Sequence, residues 1–135
     1  MTVDLTLDYS TAQFYPQIYA AIIDALNYVK GQTITTAGAQ TVNPRVNNLL
    51  LNNATATIAA TIADAKNHIG LFTVKAGLEP GSGQDHTLVL TIGTFDGTNN
   101  TATFADINDT LVVMFDIAGN GTIMTNTGSV ALSST

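Results

Sequence analysis

The residues best able to do chemistry crowd into one stretch, "FADINDTLVVMFDIAGNGTIMTN" (104–126). There Asp106, Asp109 and Asp116 are interleaved with Asn108, Asn120 and Asn126 between apolar runs. Carboxylates at this density suggest calcium. An EF-hand loop, however, needs carboxylates at alternating positions, a glycine at the sixth and a glutamate at the twelfth. "DINDTLVVMFD" has no such order, and the chain's one glutamate is Glu79. The same residues meet another need. Asp106, Asn108 and Asp109 lie between Phe104 and Leu111, where a tight turn calls for residues that tolerate the left-handed region. "AGNG" (118–121) between two apolar runs is a hairpin signal. Turn chemistry is therefore the favoured reading of the stretch.

Other combinations fail on geometry or number. "PGSGQDH" (80–86) holds a serine, an aspartate and a histidine, but three neighbours in a Gly/Pro loop cannot converge as a triad beside an oxyanion hole. His68 and His86, the only histidines, are too far apart in sequence for a zinc pair and are expected on the surface or in loops. "DGTNN" (96–100) lacks the lysine and following helix of a phosphate loop. Phe14, Tyr15, Tyr19 and Tyr28 cluster around a predicted helix rather than on a sheet face, and there is no tryptophan for a sugar platform. The expectation is a non-enzyme with no catalytic residue, metal or cofactor.

Composition sharpens the class. The chain has 135 residues, enough for one domain with one core, and no cysteine. Only 10% of residues are charged while 45% are hydrophobic; Thr, Asn, Ser and Gly make up the difference. The net charge is −6, with Lys30, Arg45, Lys66 and Lys75 the only cations, too few and scattered to track a phosphate backbone. No nucleic-acid partner is expected. No apolar run approaches the roughly 18–20 residues that span a bilayer, so no membrane partner is expected either. The opening "MTVDLTLDYS" shows neither the basic nor the apolar region of an export signal.

The elements follow from periodicity. Residues 2–9 alternate, with Val3, Leu5, Leu7 and Tyr9 on one side and Thr2, Asp4, Thr6 and Asp8 on the other, which predicts a half-buried strand. A helix is predicted over about 16–30, with Pro16 at its first position and Gly31 after its end. Ile18, Ile22, Leu26 and Val29 form its apolar stripe. Beyond it, short strands are expected near 33–42, 47–52, 55–61, 69–76, 86–93, 100–105, 109–117, 121–126 and 129–133. The Thr and Ile content of "TATIAATIADAKNH" (55–68) favours strand and loop over helix. The predicted fold is mainly β: a sandwich or barrel of short antiparallel strands with one N-terminal helix. The organisation is an arm and helix at 1–31 and a β-domain at 32–135, forming one structural unit.

The segment "TATFADINDTLVVMFDIAGNGTIMTNTGSVAL" (101–132) resembles the C-terminal part of small β-rich virion proteins of tailed bacteriophages. Upstream, "QTITTAGAQTV" and "LLLNNATATIAATIADAKNHIGLFTVKA" resemble the N-terminal β-segments of the same proteins. Two positions depart from the pattern: Asn108 stands where glycine often precedes "DT", and the "TIM" run where a tryptophan often follows the hairpin glycine. The resemblance implies a capsid decoration (cement) protein, a homotrimer on the outer surface of the virion head, made in the host cytoplasm, with the major capsid protein as partner. A tail fibre or collar appendage, or a carbohydrate-binding β-sandwich, are the alternatives.

The assembly contacts expected from the residues are Val3, Leu5, Leu7 and Tyr9 on the terminal strand, which could add to a neighbour's sheet edge, and Ile18, Ile22, Leu26 and Val29 on the helix. Deleting residues 1–9 should leave a domain that still melts cooperatively, with weakened assembly in a sedimentation experiment. Loss of cooperative melting would instead place that strand in the protomer's own core.

Overall fold

The computed structural model describes residues 17–20, 22, 31–81 and 83–135. Residues 17–20 and 22 are helical, within the span where the helix was predicted; the strand predicted at 2–9 lies outside the described residues. Ten strands follow: β1 (Gly31–Ile34), β2 (Gly38–Thr41), β3 (Asn48–Asn52), β4 (Ile58–Ile62), β5 (Gly70–Leu78), β6 (His86–Leu90), β7 (Thr101–Phe104), β8 (Thr110–Phe115), β9 (Gly121–Thr127) and β10 (Ala131–Ser133). Residues 55–68 form strand β4 and a 3-10 turn at Ala65–His68, in which the Asp64 side chain caps the Lys66 N–H. The segment expected as one strand at 33–42 is two. The chain turns at Thr35–Ala37 and enters β2 through Gly38, at φ +81°.

The strands make two five-stranded sheets, ordered β1-β3-β5-β8-β9 and β10-β7-β6-β4-β2. The result is a two-layer sandwich and not a closed barrel. Among the described residues β1 and β9 edge the first sheet and β2 and β10 the second.

The expected antiparallel pairing holds for only part of the molecule. β1, β3 and β5 run parallel, as do β2, β4 and β6. The cause is the winding: from β1 to β6 each strand lies in the sheet opposite its predecessor, so the chain always returns to a sheet in the same direction. A parallel pair needs a long crossover, usually a helix; here a strand of the facing sheet supplies it. From β6 onward, β7 turns back beside β6 and β9 beside β8, and the pairs become antiparallel. The stacked turns are unequal. Gly31 faces Asn48 and Asn48 faces Thr73 in one sheet, while Gly38 faces Ile58 and Ala59 faces Thr87 in the other.

Alternate residues of both sheets build the core. Leu49, Val74 and Leu111 form a transverse row across the first sheet, and Ala60, Leu88 and Ala102 one across the second; all are fully buried. Phe72, Phe115 and Phe95 form a chain of rings with centroids 5.9 and 6.3 Å apart, and His68 meets Phe72 edge-on at 5.5 Å.

Candidate functional site

Asp109, from the acidic stretch, is buried, with only 2% of its surface exposed. Its Oδ2 accepts the N–H groups of Ala105 and Asp106 at 3.2 and 3.1 Å, and its Oδ1 accepts that of Ser129 at 3.0 Å. The Ser129 hydroxyl donates to Asp109 Oδ2 and to Asp106 Oδ2 at 3.4 and 3.2 Å. Asn108, one residue earlier, takes φ +73°, the left-handed turn conformation that the sequence called for. The carboxylate thus joins the turn leading from β7 to β8 with the turn leading from β9 to β10. Gly128 lies against it at φ +89°, and a Cβ there would fall on the Asp109 carboxylate.

The other turn aspartates do the same work locally. Asp96 accepts the N–H groups of Thr98 and Asn99 and the Asn99 side-chain amide; these donors, the Asn99 backbone first, hold its carboxyl below the usual range. Asp116 accepts from Ala118 and Asn120 in the β8–β9 hairpin. Among the described residues no group of three or more His, Cys, Asp or Glu side chains is placed to hold a metal ion.

Both histidines are buried, contrary to the expectation of surface or loop positions. His86 is fully buried on β6; its Nδ1 accepts the Ile58 N–H at 3.0 Å, so Nε2 carries the proton and donates to Leu78 O at 2.8 Å and Asn53 O at 3.1 Å. His68 Nδ1 meets Val46 O at 2.6 Å, and burial pushes its pKa down against that bond. Each ring is retained inside because backbone groups that no strand pairs become its partners. Of "PGSGQDH", His86 is engaged in this way and faces the core, and Ser82 lies outside the described residues.

Glu79 follows the end of β5 and lines an open hollow of about 620 Å³ with Gly81, Gly83, Asp85, Ala105, Asp106 and Ile107. Its two carboxylate oxygens are buried and complete no hydrogen bond. Burial pushes its pKa from 4.5 to about 7; the His86 backbone N–H pulls the other way, and Asp85, Asp109 and Asp106 push further up.

The outer faces have a different character. The ten strands carry a single charged residue, Lys75. On the second sheet the outward rows read Ala39, Ala59, Thr87, Thr103, Ala131 and Thr41, Thr61, Val89, Thr101, Ser133, of which Thr101 is itself buried. Edge strands β1 and β2 carry neither charge nor proline nor bulge, the devices that usually protect an edge. Large apolar side chains emerge elsewhere: Ile69, Leu71, Met114, Met124 and, at the hairpin tip, Ile117 at 83% exposure. Leu71 and Met114 are cross-strand partners on the outer face of the first sheet.

Of the predicted assembly contacts, Ile18 is half-buried and Ile22 exposed, while Val3, Leu5, Leu7, Tyr9, Leu26 and Val29 lie outside the described residues. The Leu71 and Met114 pair was not anticipated. The signal was "IGLFTVKA", apolar in both phases of the alternation, where one phase had to face outward. Compared with family models, curated proteins and solved structures, the chain matches none.

Gly128→Ala should lower stability by about 2–4 kcal/mol through backbone strain and the clash with Asp109. Combined with Asp109→Ala it should cost much less than the sum of the single changes, as denaturant midpoints would show; strict additivity would mean that the two do not meet. For Glu79 the native state holds a proton that the unfolded chain releases near 4.5. Stability should therefore fall as pH rises from about 4.5 through 7. Glu79→Gln should flatten that fall in melts between pH 5 and 8, whereas parallel profiles would show a solvated carboxylate.

Proposed function

We propose that the protein is a structural subunit of a tailed-phage virion: a decoration, or cement, protein that binds the major capsid protein on the outside of the head as a trimer. The observation that carries this reading is the surface of the described residues: two outer sheet faces whose strands carry one charge, and edge strands β1 and β2 that hold no charge, proline or bulge. A soluble domain acting alone gains nothing from uncharged strand edges, which invite pairing with other chains. A subunit that is covered by neighbours gains contact area from them. The resemblance of residues 101–132 to phage virion proteins points the same way, and its "DT" and "NTGSVAL" residues include Asp109, Gly128 and Ser129, which clamp the fold.

The mechanism is bridging without catalysis. Three weak contacts held in one trimer bind with high effective concentration, so the shell gains cross-links that no single contact would sustain. The predicted strand 2–9 is the arm that adds to a neighbour's sheet. A tail or collar appendage is the second reading, favoured by the parallel winding, whose β1 and β2 edges lie at one end of the stack and could continue into another subunit.

Purified protein should sediment as a trimer, saturate capsids at hundreds of copies per particle and raise the temperature at which they open. A monomer that ignores capsids would sink the proposal, and a few dozen copies per particle would favour the tail.

A further inference from the structure

The four sheet edges are not equally open. β9 shifts register against β8 at a bulge between Val112 and Val113, and β10 is three residues long. At the end of β2 the Gln32 side chain takes up main-chain groups, donating to Thr41 O at 3.2 Å and accepting the Asn43 N–H at 2.8 Å. β1 has no such covering: it meets β3 on one side and, among the described residues, no strand or capping side chain on the other. Its alternation sets Gln32 and Ile34 on the core side, in the rows of Leu49 and Leu51, and leaves Gly31 and Thr33 exposed on the outer face. The row of Thr33 runs through Leu50 to Lys75, the one charge on the strands. The sequence holds a segment with the matching pattern. Residues 2–9 alternate between an apolar side, Val3 to Tyr9, and a polar side that carries Asp4 and Asp8.

We propose that residues 2–9 of one copy pair with the free edge of β1 of the next, the apolar side in line with Gln32 and Ile34 and the polar side in line with Gly31 and Thr33. This phase extends the core layer beyond Leu49 and Leu51 and brings Asp4 and Asp8 onto a face whose strand charge is a cation. The helix argues for a neighbour's edge over the chain's own. An arm folded back onto its own β1 would make the predicted helix the crossover of a parallel pair, with its stripe packed on the sheet it crosses. Yet Ile22 is 38% exposed, Ile18 is only half-buried, and Tyr19 beside them is 54% exposed. Reach allows the exchange: residues 10–30, helical over about the last fifteen, extend up to about 40 Å, roughly twice the width of five strands. A contact between an arm and a different edge is heterologous and closes into a ring when its rotation allows, as a trimer does. The inference rests on the proposed trimer and adds the edge that joins it and the phase of the joining strand.

Two measurements test it, with thermal melts to confirm that each variant folds. The chain has no cysteine, so introduced pairs report contact directly. Asp4→Cys, Thr6→Cys and Asp8→Cys, each combined with Thr33→Cys, cover the registers that keep this phase. On oxidation at least one should run as two and three linked chains on a denaturing gel. The same three changes combined with Ala39→Cys on β2 should link nothing. In sedimentation, Leu5→Asp with Leu7→Asp should weaken self-association about 100-fold or more, because two buried leucines are lost. Asp4→Ser with Asp8→Ser should leave the trimer in place, since exposed charge pairs contribute little. If the wild type is trimeric but links form only within single chains, only to β2 or not at all, or if the leucine variant stays trimeric, this interface is wrong and the capsid role stands. A wild type that is monomeric at every concentration overturns the interface, and its failure to bind capsids would overturn the capsid role separately.

Discussion

A single buried carboxylate holds the second half of this molecule together. In that half the chain crosses from one sheet to the other twice, between β7 and β8 and between β9 and β10, and Asp109 receives backbone N–H groups from both crossings. A charge taken out of water is tolerable only when it is fully partnered, and donors aimed at a carboxylate make strong hydrogen bonds. The Asp109 main chain continues the tie: its carbonyl accepts the Ala76 N–H at 2.9 Å, and Asn108 donates to Ala76 O at 2.7 Å. One residue thus connects β5, β8 and both layers. Gly128 follows from it, because only a residue without a Cβ can pass so close.

What remains is a scaffold whose polar chemistry is spent on its own turns. Asp96, Asp109, Asp116, Asn53 and both histidines are engaged by backbone groups. Glu79 is the exception, a half-buried residue whose carboxylate oxygens are covered without a completed bond. The outer face of the second sheet is left mostly to threonine, alanine and serine, side chains that present little to a small ligand and much area to another protein surface.

Much of this was legible in the sequence. The alternating runs locate nearly every strand, because each buries one face and exposes the other. The turns were legible through Asn108 and "AGNG", where backbone conformation dictates residue type. The direction of pairing was not, because alternation says which face is buried and nothing about which neighbour lies alongside. The winding also left no repeat to find: Asn48 lies opposite Gly31 but Thr73 opposite Asn48, so successive turns differ in length. The burial of His68 and His86 was hidden for a related reason. Their partners, Val46 O, Leu78 O and the Ile58 N–H, are backbone groups, which leave no trace in residue identity. The hollow beside Glu79 likewise depends on residues from separate turns, Glu79 with Asp106, which only the sheets bring together.

The clamp at Asp109 has a consequence for how the protein is made. During synthesis the stacked turns β1–β6 emerge first, yet the groups that fasten the two layers, Gly128 and Ser129, emerge behind them. Parallel strands that close over many residues are slow to pair, whereas the β8–β9 hairpin closes locally. The nascent chain therefore passes through a period in which its uncharged strands exist without their fastener, and crowded copies on neighbouring ribosomes would have the chance to exchange strands.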